Sequence, residues 1–162
     1  MRKITFQSII VSFVLVSCSA AAADLSQNDT EAAFQSAGFK NHGSYWKSEC
    51  EDPTPAYSPG NIEVLEDLND DGLPEVLITE GSSYCYGNTG ITSSLVSKQN
   101  DGSWKLIFSA VGILSFINSN QASGWPEIEV GGPGFCFPVY RWNGNKFTFN
   151  RYEYEMKRCE PN

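Results

Sequence analysis

Asp67, Asn69 and Asp71 alternate along one short stretch, Gly72 follows them, and Glu75 stands three residues further on. Alternating oxygen-bearing side chains on a sharply turned loop suit calcium. That ion takes roughly six to eight oxygens at 2.3–2.6 Å, several from positions 1, 3 and 5 of one curled segment. Gly72 at position 6 permits the turn, the Leu73 carbonyl falls at position 7, and Glu75 at position 9 closes the cage. An EF-hand carries its closing Glu at position 12, where this chain has Ile78, so the loop is not an EF-hand. Glu66 and Asp70 stay outside the cage and add negative field. The plain alternative is an Asx-rich surface turn held by its own side-chain-to-backbone bonds.

The order D-x-N-x-D-G-x-x-E, followed at once by the strand-like Val76-Leu77-Ile78, resembles the calcium loop of FG-GAP (VCBS-type, integrin α-propeller-like) repeats. The resemblance implies side-chain ligation by Asp67, Asn69, Asp71 and Glu75. A degenerate second copy is readable downstream. Gly72-Leu73-Pro74-Glu75-Val76 matches Gly124-Trp125-Pro126-Glu127-Ile128, and Gly81-Ser82-Ser83-Tyr84-Cys85-Tyr86 matches Gly132-Pro133-Gly134-Phe135-Cys136-Phe137. Asp101-Gly102 is likewise echoed by Asn143-Gly144. In the second copy Ser119, Gln121 and Ser123 replace Asp67, Asn69 and Asp71, while Gly124, Pro126 and Glu127 persist. A shared turn therefore does not need the acidic groups, and a structural Ca2+ is the simplest reason for them. Two units cannot close a propeller, which takes about four to eight blades.

Other residues invite chemistry less strongly. His42 is the only histidine and sits in a loop-like N-H-G-S stretch, and no G-x-S-x-G elbow accompanies it. Glu127 with Glu129 and Glu153 with Glu155 could be glycosidase pairs, but carboxylates two apart on a strand share a face by default and read as solvated. Gly131 to Phe137 lacks the Lys-Ser/Thr ending of a phosphate-binding loop. Trp46, Trp104, Trp125 and Trp142 read as packing residues before sugar platforms. Cys50, Cys85, Cys136 and Cys159 form an even set with no C-x-x-C, which predicts two disulfides in an oxidising compartment. The repeat argument pairs Cys85 with Cys136 and leaves Cys50 to Cys159. Tyr84, Tyr86, Phe135 and Phe137 flank the first of these bridges and are candidate partner contacts.

These groups need a frame. Met1-Arg2-Lys3 and the apolar run Ile9 to Val16 read as an export signal, too short for a membrane span. Cleavage after Ala23 gives a secreted or periplasmic domain; alternatively Leu15-Val16-Ser17-Cys18 is a lipobox that would lipidate Cys18 and give an outer-membrane lipoprotein. Removing Arg2 and Lys3 takes two positive charges from −8 and leaves −10, a surface that repels nucleic acid and anionic lipid and suits a cation or a basic protein. Residues 24–60 hold a helix at Asn28–Phe39, with Asn28 and Glu31 as capping box and Gly38 at C′, then a proline-bearing loop. Residues 61–162 alternate as strands: Ile62–Leu68, Glu75–Glu80, Ser94–Lys98, Trp104–Ala110, Glu127–Val130, Val139–Trp142, Lys146–Asn150 and a strand around Tyr152–Met156. The Asp-Gly and Asn-Gly pairs signal type I′ hairpins. The expected fold is mainly β, two similar antiparallel hairpin units with one short helix, making residues 24–162 one folded unit.

The function expected is a non-catalytic exported module with a structural calcium and a protein partner. An inhibitor or immunity-type binder of a basic cell-wall hydrolase is the alternative, and a glycan-acting enzyme the least favoured.

Overall fold

The computed structural model describes residues 25–65, 67–117 and 124–161. The proposed signal, the lipobox with Cys18, Glu66, and the Ser119, Gln121 and Ser123 counterparts lie outside these residues.

Helix α1 spans Gln27–Ser36 and starts from Ser26, whose hydroxyl accepts the Asp29 N–H at 3.1 Å and donates to the Asp29 carboxylate at 2.8 Å. The capping pair is thus Ser26 and Asp29, not Asn28 and Glu31. Asp29 wins because its carboxylate is also held by Trp104 Nε1 at 3.0 Å and Lys98 Nζ at 2.8 Å. The C-terminal end follows the sequence. Gly38 (φ +85°) donates to the Gln35 carbonyl and Phe39 to the Phe34 carbonyl, both at 3.0 Å. With the Phe34 and Phe39 rings 5.6 Å apart, this is a Schellman motif with its apolar contact.

Two antiparallel sheets follow, each with its strands in chain order. The first holds β1 (Lys40–Asn41), β2 (Trp46–Lys47), β3 (Ser58–Val64), β4 (Glu75–Gly81), β5 (Ile91–Lys98) and β6 (Trp104–Val111). A one-turn helix α2 (Ser83–Tyr86) and a 3-10 turn at Gly87–Thr89 join β4 to β5. The second holds β7 (Ile113–Ile117), β8 (Glu127–Gly131), β9 (Phe137–Trp142), β10 (Phe147–Tyr154) and β11 (Lys157–Arg158). The fold is mainly β with one N-terminal helix, and neither sheet closes into a barrel.

Differences from the expected strands have local causes. Strand β3 ends at Val64, short of the expected Leu68, because the chain must enter the acidic loop there. Strand β7 follows β6 after Gly112 alone. That residue has φ +147°, and a Cβ on it would lie 2.5 Å from the Val130 side chain and 2.7 Å from the Gly131 carbonyl, so only glycine turns the chain between sheets here. Both Asp-Gly and Asn-Gly mark hairpins, but only the glycines have positive φ, so neither turn is type I′. Instead Glu155 and Met156, at φ 49° and 62°, make the two-residue turn that ends the strand expected to run to Met156.

Side chains alternate across β4. Val76 and Ile78 pack with Ala33, Phe34, Phe39, Val96 and Trp104 under the helix. Leu77 faces the other way, toward the core of Leu95, Leu114, Trp125, Ile128, Val130 and Phe147 between the sheets. Buried on both faces, the first sheet needs small residues as spacers, which explains fully buried Ser93 and Ser97 on β5. Among the described residues no helix is long and apolar enough to cross a membrane.

All four expected cysteines are bridged, but the pairing is Cys50–Cys85 and Cys136–Cys159, not Cys85–Cys136 and Cys50–Cys159. Each loop cysteine meets the chain that already packs beside it. Residues 48–57 are drawn onto β4 next to α2, and the Cys159 N–H bonds the Tyr152 carbonyl at 3.3 Å, beside β9.

Candidate functional site

The acidic loop joins β3 to β4. At its base the Leu65 N–H donates to the Glu75 carbonyl at 2.8 Å. Within it Asp67 accepts the Asp71 N–H at 3.1 Å on Oδ1 and the Gly72 N–H at 2.6 Å on Oδ2. Asn69 Oδ1 accepts the Asp71 N–H at 3.0 Å, its amide donates to Asp71 Oδ2 at 2.9 Å, and Asp71 Oδ1 accepts the Leu73 N–H at 2.8 Å. Asp70 and Gly72 adopt φ of 61° and 82° to allow this curl. These are the Asx bonds of a self-supporting turn, and each carboxylate keeps further lone pairs. Among the described residues no group of three or more Asp, Glu, His or Cys side chains is gathered tightly enough to hold a metal as it stands.

Glu75 does not fit the plain turn. It is fully buried; Oε2 accepts the Leu68 N–H at 2.7 Å, but Oε1 has no hydrogen-bond partner. Burial pushes its pKa up to about 7, against the Leu68 N–H and the nearby Ser97 hydroxyl, and the Asp71 and Asp67 charges push it further the same way. The Ser97 hydroxyl itself donates to the Lys98 carbonyl at 3.3 Å.

Glu127 gives the contrast. It too opens a strand after Gly-x-Pro and is 3 % exposed, yet Arg141 Nε and Arg151 Nη1 each reach it at 2.7 Å and the Asn150 amide at 3.1 Å. Burial pushes Glu127 up, but the Arg151 and Arg141 guanidiniums outweigh it and hold the carboxyl below its ordinary range. On the neighbouring strand, Ser97 lies opposite Glu75 where Arg141 lies beside Glu127. The two turns also touch: a Cβ on Gly124 (φ +77°) would sit 2.8 Å from the Asn69 carbonyl.

The expected solvated carboxylate pairs are corrected. Glu127 and Glu153 are buried and share Arg151, whose Nε lies 2.5 Å from Glu153. Glu129 is half-buried and raised by that burial and by Glu153, while Glu155 lies exposed in the β10–β11 turn. Strand spacing told which glutamates share a face but not that arginines stand across from them.

One cluster had no local signal in the sequence. Glu80 is 1 % exposed and accepts the Ser48 N–H at 3.0 Å, the Tyr57 hydroxyl at 2.5 Å, and the hydroxyls of Ser48 and Tyr86. Burial raises it, and the four bonds outweigh burial and hold it low; burial and Glu80 together push Tyr86 up to about 12 and Tyr57 higher still.

The aromatic partner candidates divide. Tyr84 is 67 % and Phe135 57 % exposed, whereas Tyr86 turns inward to Glu80 and Phe137 is half-buried, 6.2 Å from the Tyr154 ring. Their two loops abut, since a Cβ on Gly132 would meet Thr89 at 3.6 Å. His42 lies exposed against Tyr45, ring centroids 5.4 Å apart, and all four tryptophans are at least partly buried. No family model matches the chain, and neither do curated proteins or solved structures.

Proposed function

We propose that the chain is an exported, non-catalytic β module stabilised by a structural calcium ion at the β3–β4 loop. The observation that carries this is the orphaned Oε1 of buried Glu75, beside a loop whose Asp67 and Asp71 charges disfavour its ionisation. A buried carboxylate without a cation costs several kcal/mol. At Glu127 two guanidiniums meet that cost; at Glu75 a divalent ion would take their place. Asp67, Asn69, Asp71 and Glu75 would hold it, with the Leu73 carbonyl, as in FG-GAP-type loops, and the two four-strand runs β3–β6 and β7–β10 would be one clear and one degenerate copy of that unit. Bound, the ion would supply charge neutralisation. The residues fit it through spare carboxylate lone pairs after a tightening of the loop.

Thermal melts test this. Calcium at 100-fold over its dissociation constant adds about 2.7 kcal/mol to wild type. Asp71→Ala melts alike in calcium and in chelator. Identical wild-type curves in both would remove the ion.

A second reading rests on exposed Tyr84 and Phe135, held on abutting loops beside the two disulfides. Together with the −10 charge they suit a basic protein partner such as a cell-wall hydrolase. Its complex would weaken steeply between low and physiological salt, and Tyr84→Ala with Phe135→Ala would loosen it. No binding to a cationic hydrolase at low salt would end that reading.

A further inference from the structure

Strand β10 and the C-terminal tail form a fork. Glu153 pairs with Arg158 and Tyr154 with Lys157, and the Cys159 N–H reaches the Tyr152 carbonyl. From there the two segments part, enclosing an open groove of about 620 Å³ between residues 149–152 and 158–161. Four consecutive strand residues send their side chains to both faces, so this wall is the backbone edge of β10. Strand β11 pairs only with Glu153 and Tyr154, so among the described residues that edge has no strand partner from Phe147 to the bulge at Asn150 and on to Arg151. An unpaired edge offers a row of N–H and C=O groups to an incoming strand.

Two side chains define the guest. Phe149 is 52 % exposed and its ring lies 4.8 Å from that of Tyr152, giving an apolar seat. Arg151 is committed to Glu127 and Glu153, but Arg158 is exposed and forms no ion pair among the described residues. In a strongly acidic chain an uncommitted guanidinium beside an apolar seat complements a carboxylate on an apolar residue. Among the described residues Glu160 is the one acidic side chain lining the groove. We propose that this groove captures the carboxyl-terminal end of an extended peptide by strand addition to β10, with the terminal carboxylate on Arg158. The volume suits a ligand pocket, and strand addition with carboxylate capture is a general recognition mode. A sugar could also stack on Phe149, but it would have no use for an unpaired strand edge.

Backbone amide shifts of the oxidised protein test this, titrated with an N-acetylated pentapeptide of alternating valine and threonine ending in phenylalanine. Shifts are expected at residues 149–152 and 158–161, with a dissociation constant on the order of 0.1–1 mM. Amidating the peptide's carboxyl end, or Arg158→Ala, weakens binding about tenfold, and Glu160→Gln tightens it several-fold. Methylating alternate peptide nitrogens abolishes it. The proposal is overturned if no shifts appear by roughly 5 mM peptide, if the amidated or methylated peptide binds as well, or if chitotriose moves these amides and the peptide does not.

Discussion

Glu80→Ala lowers the melting midpoint by roughly 10–15 °C, a loss of about 3–4 kcal/mol. The wild-type carboxylate loses hydration, which alone would cost several kcal/mol. Four donors reverse that balance: the Ser48 N–H and the hydroxyls of Ser48, Tyr57 and Tyr86. Alanine removes the acceptor and leaves three hydroxyls in a half-buried site made to give their protons away. It also frees residues 48–57, which carry Cys50, from the sheet they cross. Glu80→Gln keeps the shape and one acceptor oxygen, and is expected to lose about half as much. Calorimetry of the oxidised protein measures both, and an alanine variant within roughly 3 °C of wild type would show that burial and bonding nearly cancel.

In chelator, the protein loses stability as pH rises from about 5 to 8, by on the order of 3 kcal/mol. The Glu75 carboxyl has a folded pKa of about 7 against an ordinary 4.5. It binds its proton more tightly when folded, so its stabilising contribution is complete below the ordinary value and disappears as pH passes through the raised one. Asp29, Glu80 and Glu127 are shifted down and act oppositely, losing their contribution only as pH falls through the acid range below this window. Glu129 is raised and shares the direction of Glu75, so the difference between wild type and Glu75→Gln isolates Glu75. The variant is expected to keep only the slope that Glu129 leaves over this range, and calcium is expected to restore the wild-type stability lost toward pH 8. A flat wild-type curve in chelator would show that Glu75 is not held in an apolar site.

Much of the scaffold was written locally. Gly38 announces the helix end, the strand periods place β4, β6 and β8 within a residue or so, and Asp101-Gly102 and Asn143-Gly144 mark their hairpins. The acidic loop was equally visible, because its ligand-type residues are contiguous. What escaped depends on contacts between distant segments. Ser48 and Tyr57 look like ordinary loop residues until Glu80 lies beneath them. Arg141 and Arg151 give no hint of Glu127 until strand register sets them beside it. The disulfide pairing failed for the same reason: likeness between Cys85 and Cys136 says they occupy similar places, not that those places face each other.

The bridges join residues 35 and 23 positions apart, and neither passes from one sheet to the other. Covalently, the described residues form two closed circuits on one thread that crosses at Gly112. Severing the thread there would leave two oxidised fragments held together by noncovalent contacts alone. Such fragments could be made separately, mixed and reassembled, and each half could change its own loops without breaking a bond that the other half needs.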